Sequence, residues 1–277
     1  MGCALTRSGK GSEYVQQAKS MWRRGVAALE TGRVDEAESL LRQAAEAAPE
    51  DPDAQRHLAE ALWQSGQRTE AVTRAELACR CAPRDSGAAV RAGQMRLEAG
   101  DAQRSIDWAD AAIAADTRSA TAWALRGRAH RRLGRPERAL ADFQQALRFA
   151  PNDPALLTDV AMLHRARGDH RRCLTTLHQV IDSYPPGHEP ASALAMVGES
   201  YLALGRARDA ADSFRVAASR GPADAQLLYG LAEAQAACGQ TDAAIADARR
   251  AIEADAAHTP SRELLARLEG QVVTRLR

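Results

Sequence analysis

Residues 123–151, WALRGRAHRRLGRPERALADFQQALRFAP, contain the pattern that decides the fold. Two alanine-rich stretches with apolar residues at helical spacing flank Gly134, and Pro151 follows the second stretch. A glycine in such a place can adopt the left-handed conformation that ends one helix and lets the chain reverse into the next. Proline after the second stretch prevents that helix from continuing. The segment therefore predicts a helical hairpin.

The glycine at the centre of this segment recurs along the chain. It is found at Gly32, Gly66, Gly100, Gly134, Gly168, Gly205 and Gly239. Successive glycines are 34 residues apart, except for the step from Gly168 to Gly205, which is 37 residues. A fixed period of this size indicates stacked supersecondary units, in which each hairpin covers the apolar face of its neighbour. We therefore predict seven hairpins in tandem.

The residues around these glycines resemble the tetratricopeptide repeat, whose 34-residue pattern is W-x2-L-G-x2-Y…A-x3-F…P. The fourth repeat carries the pattern as Trp123, Gly127, Gly134, Ala139, Phe143, Ala146 and Pro151. The sixth carries it as Gly198, Tyr201, Gly205, Ala210, Phe214 and Pro222. The resemblance covers residues 18–258 and implies an all-α fold, an α-solenoid in which helix-turn-helix hairpins form a right-handed superhelix.

The period also divides the chain. The predicted repeats are 18–51, 52–85, 86–119, 120–153, 154–190, 191–224 and 225–258. Residues 1–17 include a Ser/Gly/Lys tract at 8–12 and are expected to form a flexible segment. The segment Pro185–Pro190 predicts a longer loop within the array and not a domain boundary. In residues 259–277, Thr259 as N-cap and Pro260 as first helical residue predict a C-terminal capping helix, followed by a short tail.

Several positions are explained by packing. Small residues at the eighth position of each repeat and early in the second helix allow the paired helices to approach closely. The larger side chains of Leu41, Phe143, Leu177 and Phe214 are predicted to fill the space between hairpins. The third repeat departs most from the pattern, with Arg96 where an aromatic residue is usual. Cys173 replaces the usual alanine and is expected to fill a small buried space.

The resemblance implies that the first helices line a concave groove that holds peptides or partner proteins. The groove would be lined by positions two, five, nine, twelve and thirteen of each repeat. The predicted partner-binding residues are Trp22, Val26, Leu29, Arg56, Trp63, Arg128, Arg131, Arg132 and Arg165. The same positions also include Glu60, Glu199, Tyr229 and Glu233.

Two features of this face suggest a ligand, and each has an alternative. The apolar stripe that contains Trp22 predicts a pocket for an apolar side chain, with Trp22 and Trp63 as aromatic walls. Alternatively, the segment around Tyr14 folds back over the stripe, or the first repeat is simply the rim of the array.

The second feature is the distribution of charge: repeat 120–153 has a net charge of +4, whereas repeat 18–51 has −2 and repeat 225–258 has −3. A central positive field favours an acidic ligand; alternatively, these arginines form a solvated surface.

The N-terminus allows three interpretations. Gly2 and Cys3, followed by a polar tract, resemble the processed end of a bacterial lipoprotein, with Cys3 as the lipidated residue. The pattern Met-Gly-x-x-x-Thr also fits N-myristoylation. The third interpretation is a terminus without lipid. Localisation is therefore cytoplasmic or, if Cys3 is lipidated, membrane-anchored and facing the periplasm. The layout is similar to that of envelope-assembly lipoproteins, such as those for type IV pili.

Catalytic and metal-binding patterns are absent from the sequence. The five cysteines are scattered and lack the paired spacing of a zinc site or a disulfide framework. His130 and His164 stand at the eleventh position of their repeats, where they are expected to pack between helices.

We therefore predict a non-catalytic protein-interaction scaffold without cofactor or metal, whose partner carries acidic and apolar side chains. RNA binding through the arginine-rich centre is the alternative. A net charge of +1 and the lack of interleaved aromatics count against it, and no DNA binding is expected.

Overall fold

The computed structural model describes the backbone of residues 6–275 and the side chains of residues 16–271. All regular secondary structure over that range is α-helical, which confirms the predicted all-α fold. The helices are α1 (Thr6–Glu30), α2 (Val34–Ala47), α3 (Pro52–Gln64), α4 (Arg68–Cys81), α5 (Ser86–Glu98), α6 (Ala102–Ala115), α7 (Ala120–Arg132), α8 (Pro136–Phe149), α9 (Pro154–Ala166), α10 (His170–Asp182), α11 (Ala191–Ala203), α12 (Ala207–Ser219), α13 (Ala225–Ala237), α14 (Thr241–Ala254) and α15 (Thr259–Arg275).

The chain forms two compact units. The N-terminal unit ends at Ala150 and contains α1–α8, and the C-terminal unit begins at Pro151 and contains α9–α15. Within each unit, consecutive helices pair as antiparallel hairpins and each hairpin packs on the next. The predicted α-solenoid architecture is thus confirmed as a stack of hairpins inside each unit.

The first helix of most repeats starts at a side-chain cap. The capping residue immediately precedes the helix and accepts a backbone N–H of its first turn, which typically contributes about 1 kcal/mol per cap. The caps are Asp51 of α3, Asp85 of α5, Ser119 of α7, Asp153 of α9 and Asp224 of α13. These capping residues recur at the same place in successive repeats, so they are a second sequence signal for the repeat in addition to the glycines.

The recurring glycines make the turns inside the hairpins. All seven have positive φ, between +67° at Gly134 and +90° at Gly100, which confirms the predicted left-handed conformation. A Cβ atom at Gly134 would meet no atom within 4 Å, so glycine is needed there for its backbone and not for space.

Replacing Gly134 with alanine should therefore lower the free energy of unfolding by about 1–2 kcal/mol, the usual penalty for an L-residue in this region. The measurement is urea unfolding of the full chain followed by circular dichroism. The matched control is Gly221→Ala, because Gly221 also has open space around it but no positive φ. Equal losses in both variants would contradict the conformational explanation.

A second set of glycines is needed for space. A Cβ atom at Gly127 would lie 2.7 Å from the Phe143 ring, and Cβ atoms at Gly198 and Gly230 would lie 2.8 and 2.7 Å from the Phe214 ring. Leu41, Phe143, Leu177 and Phe214 are each at most 2% exposed, as expected of side chains that fill the core. Their predicted place between hairpins holds for Phe214, which reaches Gly230 of the next hairpin, whereas the contact of Phe143 with Gly127 lies inside its own hairpin.

The longer connection predicted at 185–190 lies between α10 and α11 and is held by its own contacts. Glu189 accepts a hydrogen bond from the Gly187 backbone N–H at 3.0 Å and forms an ion pair with Arg220 at 2.8 Å. The three additional residues are thus accommodated in an anchored loop.

The two ends of the array differ from the predictions. Helix α1 begins at Thr6, so the flexible segment predicted for 1–17 is wrong for residues 6–17. This tract extends a helix that is fixed by packing further along, where Ala18 is fully buried, and its polar composition does not break the helix. Cys3 and Gly2 lie outside the described residues.

The capping helix is present, but its cap is shifted by one residue. Helix α15 already includes Thr259, so Thr259 is not the N-cap. Instead, Nδ1 of His258 accepts a hydrogen bond from the backbone N–H of Ser261 at 3.3 Å. The Thr259 hydroxyl donates to the Ala257 carbonyl. The imidazole acceptor takes the role that the hydroxyl was expected to play.

None of the helices in the described part of the chain combines the length and the hydropathy that crossing a membrane requires.

Candidate partner-binding site

The two tryptophans predicted as aromatic walls are each covered by another side chain of the N-terminal unit. The Trp22 ring stacks on His57, with centroids 5.2 Å apart and planes 16° from parallel. The Trp63 ring lies beneath the guanidinium of Arg68, 4.0 Å from the ring centroid, and Arg91 approaches to 5.9 Å. Each ring predicted as a wall of an apolar pocket is thus partly covered by a side chain of the same unit.

The neighbouring predicted residues have mixed surroundings. Val26 and Leu29 are half-buried, and Leu29 packs against the cluster of buried residues that includes Leu41 and Leu58. Arg56 is exposed and forms an ion pair with Asp53 at 2.8 Å. The alternative in which the segment around Tyr14 covers this stripe concerns a side chain outside the described residues.

The arginines of α7 differ in their roles. Arg128 is half-buried, and Arg131 and Arg132 are exposed in the last turn of the helix, where positive charge is favourable to the helix dipole. Arg126, which does not stand at a predicted groove position, is held by ion pairs with Asp142 at 2.7 Å and Asp110 at 2.6 Å. At least one arginine of this cluster is thus committed to the fold.

Buried polar pairs inside the hairpins were not predicted. The eleventh and twenty-third positions of a repeat face each other across its two helices, and several repeats place polar residues at both. Gln235 donates to Asp247 at 2.9 Å, and His130 lies 3.8 Å from Asp142. The available signal in the sequence was a pair of polar residues 12 positions apart, at places where the first repeat has Ala28 and Leu40.

In the third repeat, polar side chains also pair, but they do so between neighbouring hairpins. Arg96 forms an ion pair with Glu76 at 2.6 Å, and the indole N–H of Trp108 donates to the same carboxylate at 3.1 Å. Burial raises the pKa of Glu76, but the bonds from Arg96 and Trp108 outweigh it, so its pKa is lowered overall. Arg96 thus replaces the usual aromatic residue by linking α5 to α4.

The buried imidazole of His130 should make stability depend on pH. Burial lowers its pKa; Asp142 opposes this shift and Arg126 adds to it. The unfolded chain therefore binds a proton at a pH where the folded chain does not, so stability is lost as pH falls below the usual histidine pKa of about 6.5. The wild-type chain should lose more stability between pH 7.5 and pH 5.5 than His130→Gln.

Melting temperatures at the two pH values test this. Glutamine is a suitable replacement because Gln235 occupies the equivalent position of the seventh repeat and bonds its own aspartate. The control is His178→Gln, an exposed histidine of α10. An identical pH response of the wild type and His130→Gln would contradict the prediction.

The C-terminal unit contains a cleft at the predicted groove positions. Its volume is about 480 Å³, and it lies along α9, α11 and α13, the first helices of three successive repeats. Positions two, five, nine and twelve supply most of its lining, namely Thr158, Met162, Arg165, Ser192, Ala195, Glu199, Leu202, Gln226, Tyr229 and Glu233. Four of these, Arg165, Glu199, Tyr229 and Glu233, were assigned to the groove from the sequence.

Polar contacts cross the cleft between helices. Arg165 of α9 forms an ion pair with Glu199 of α11, so the one predicted arginine in this unit already has an acidic partner. The Tyr229 ring contacts His258 edge to face at 5.7 Å, and burial followed by the nearby Glu233 raises the pKa of the Tyr229 hydroxyl. Phe214 and Met196 contribute to the apolar part of the lining.

Metal and thiol chemistry find little support in the described residues. Within the part of the chain whose side chains are described, no group of three His, Cys, Asp or Glu residues could hold a metal ion. Cys173 is fully buried, as predicted, and accepts a hydrogen bond from the Ser200 hydroxyl with the two heavy atoms 3.4 Å apart. Burial raises the pKa of Cys173 and raises that of Cys79 to about 12, so neither thiol is activated.

Comparison with protein families identifies the repeat. Models of the tetratricopeptide repeat match residues 28–92 and residues 87–257. The chain belongs to the tetratricopeptide repeat family. Repeats of this family generally act as non-catalytic scaffolds that bind proteins or peptides. A search of curated protein sequences finds no match to this tetratricopeptide repeat protein.

Solved structures with a similar fold include a tetratricopeptide repeat protein from Parabacteroides merdae, with 16% identity, a TM-score of 0.68, and coverage of 92% of this chain and 99% of the other. PilF of Pseudomonas aeruginosa is similar with 15% identity, a TM-score of 0.58 and coverage of 92% and 99%. In the Cut9–Hcn1 hetero-tetramer, 15% identity and a TM-score of 0.70 extend over 88% of this chain but 48% of the other. At these identities the likeness concerns the fold.

Proposed function

We propose that this tetratricopeptide repeat protein is a non-catalytic scaffold that holds a segment of a partner protein against the first helices of its repeats. The observation that carries the proposal is the cleft of the C-terminal unit. Its walls are built from the positions that the family resemblance assigns to a binding groove, in three consecutive repeats.

The character of the cleft supports a peptide ligand. A volume of about 480 Å³ lies in the range typical of ligand sites and has room for a few side chains. The lining is mostly apolar and carries a small number of polar groups, which is the combination that gives affinity through burial and orientation through hydrogen bonds. Because the cleft is open, an extended or helical segment can enter it from the surface.

Selection of peptides from a displayed random library on the full chain tests this function. The variant that blocks the cleft is Ser192→Trp, because Ser192 is an exposed residue of α11 at the cleft wall. We expect it to weaken binding of the selected peptides at least about tenfold by occupying the site. The matched control is Thr175→Trp, an exposed position of α10 outside the cleft. Peptides that bind Ser192→Trp as well as the wild type would overturn the proposal.

The remaining predictions rest on other parts of the chain. RNA binding by the arginine-rich fourth repeat stays the second candidate, and the concentration of positive charge in 120–153 is what favours it. A filter-binding measurement with random RNA, with and without Arg131→Ala and Arg132→Ala, tests it. Lipid anchoring through Cys3 also stays a prediction, and mass spectrometry of the N-terminus in the native host checks it.

A further inference from the structure

The cleft of the C-terminal unit is acidic in its fixed charges. Its lining includes three carboxylates, those of Glu199, Asp224 and Glu233, and one guanidinium, that of Arg165. Arg165 is paired with Glu199, so these two charges largely compensate each other. Asp224 also caps α13 by accepting the Leu227 backbone N–H at 2.8 Å. The remaining carboxylate, Glu233, stands on the α13 wall at the ninth position of its repeat.

Glu233 lines the cleft together with Tyr229, which precedes it by one helical turn on α13. The Tyr229 hydroxyl is a neutral neighbour, so it does not compensate a carboxylate charge at this wall. Burial raises the pKa of the Tyr229 hydroxyl, and the nearby Glu233 raises it further, while Arg267 of α15 opposes the shift. The repeat that contains both residues, 225–258, has a net charge of −3. Apolar walls of low dielectric strengthen the attraction of such a site for a cation.

The apolar part of the cleft adds a second requirement. Met162, Met196, Leu202 and Leu227 line it beside the polar groups. Methionine side chains adapt their shape to different apolar partners. The methylene stem of a lysine or arginine can also lie along such a surface while its charged end reaches a carboxylate. A ligand that matches both features combines aliphatic side chains with a cation.

We propose that this cleft binds a basic, apolar segment of a partner protein, with an aliphatic side chain against the methionines and a lysine or arginine at Glu233. The inference rests on the proposed function and specifies the chemistry of its ligand. It differs from the acidic ligand predicted from the arginines of repeat 120–153, because the cleft is built from other helices and its own arginine is paired.

Three displayed peptide libraries with the same apolar content test the inference on the full chain. Their charged positions contain Lys and Arg in one library, Asp and Glu in the second, and Asn and Gln in the third. Enrichment is expected from the basic library. Binding of the enriched peptides, measured by fluorescence anisotropy, should weaken about fivefold in Glu233→Gln and should also weaken at high salt, as expected for a partly exposed charge pair.

Two further variants separate charge from structure. Glu233→Asp keeps the negative charge and should retain most of the binding. Glu253→Gln removes the same charge from an exposed position of α14 in the same repeat, outside the cleft, and should leave binding unchanged. Equal losses in Glu233→Gln and Glu253→Gln, or unchanged binding in Glu233→Gln, would overturn the inference.

The outcome also distinguishes this inference from the proposed function. Acidic or neutral peptides that are enriched and then lost in Ser192→Trp would leave the function standing and overturn the basic ligand. Enriched peptides of any charge that bind Ser192→Trp normally would overturn both.

Discussion

Replacing Phe143 with alanine should lower the free energy of unfolding by about 3–5 kcal/mol, the range for deleting a fully buried aromatic side chain. Phe143 has no exposed surface, and its ring packs directly against the backbone at Gly127. The contact between Phe143 and Gly127 sets the distance between the two helices of the fourth hairpin. These helices therefore cannot close the space left by the ring without moving their backbones. Most of the cavity should therefore remain in the variant.

The glycine that faces Phe143 gives the prediction a sharper form. In the wild type, Gly127→Ala places a Cβ atom 2.7 Å from the fully buried Phe143 ring, and overpacking of this kind costs about 1–3 kcal/mol. In the Phe143→Ala background the same substitution enters empty space. It should then stabilise the chain by up to about 1 kcal/mol, because alanine is the better helix former. The effect of Gly127→Ala thus changes sign.

A double-mutant cycle measures this coupling. Hydrogen exchange of the amides in α7 and α8 reports the local free energy of opening, and urea unfolding followed by circular dichroism reports the whole chain. The matched control is Phe149→Ala, because Phe149 is 40% exposed and its loss should cost about 1 kcal/mol or less. A destabilising Gly127→Ala in both backgrounds would show that glycine is needed there for another reason.

The pairs of glycine and phenylalanine also show why so much of the fold was predictable. Gly134 needs a backbone conformation that other residues rarely adopt, and Gly127 needs the absence of a side chain. Both requirements act on residue type at a fixed position, so they recur in the sequence with the period.

The composition of residues 8–12 suggested a linker, but packing further along α1 decides the structure of this tract. A rule based on local composition cannot detect such packing.

The candidate site was less predictable because it depends on which side chains meet. The sequence places Trp63 on the groove face, but it does not show that the guanidinium of Arg68 covers the ring. It likewise places Arg165 there without showing its ion pair with Glu199, which is 34 residues away. Position within the repeat determines the face on which a residue lies, whereas long, charged side chains choose among several partners on that face.

Asp142→Ala should lower the free energy of unfolding by about 2–4 kcal/mol, because removing one partner of a largely buried ion pair leaves the other charge without compensation. The Asp142 side chain is 7% exposed and that of Arg126 is 23% exposed. Two guanidinium nitrogens, Nε and Nη2, bond the Asp142 carboxylate. Asp110 remains as a partner for Arg126, but it is half exposed and therefore compensates the charge less well.

Replacing both partners should cost less than replacing one. In Arg126→Leu/Asp142→Leu no unpaired charge is left inside the hairpin, and most of the lost stability should return. The exposed pair of Arg215 and Asp212 serves as control, since Asp212→Ala should change stability by less than about 0.5 kcal/mol. If the double replacement is less stable than Asp142→Ala, the pair contributes net stability to α7 and α8 beyond compensating its own burial. If it is more stable, the tetratricopeptide hairpin tolerates an apolar pair at these positions, and the charges are not required for folding.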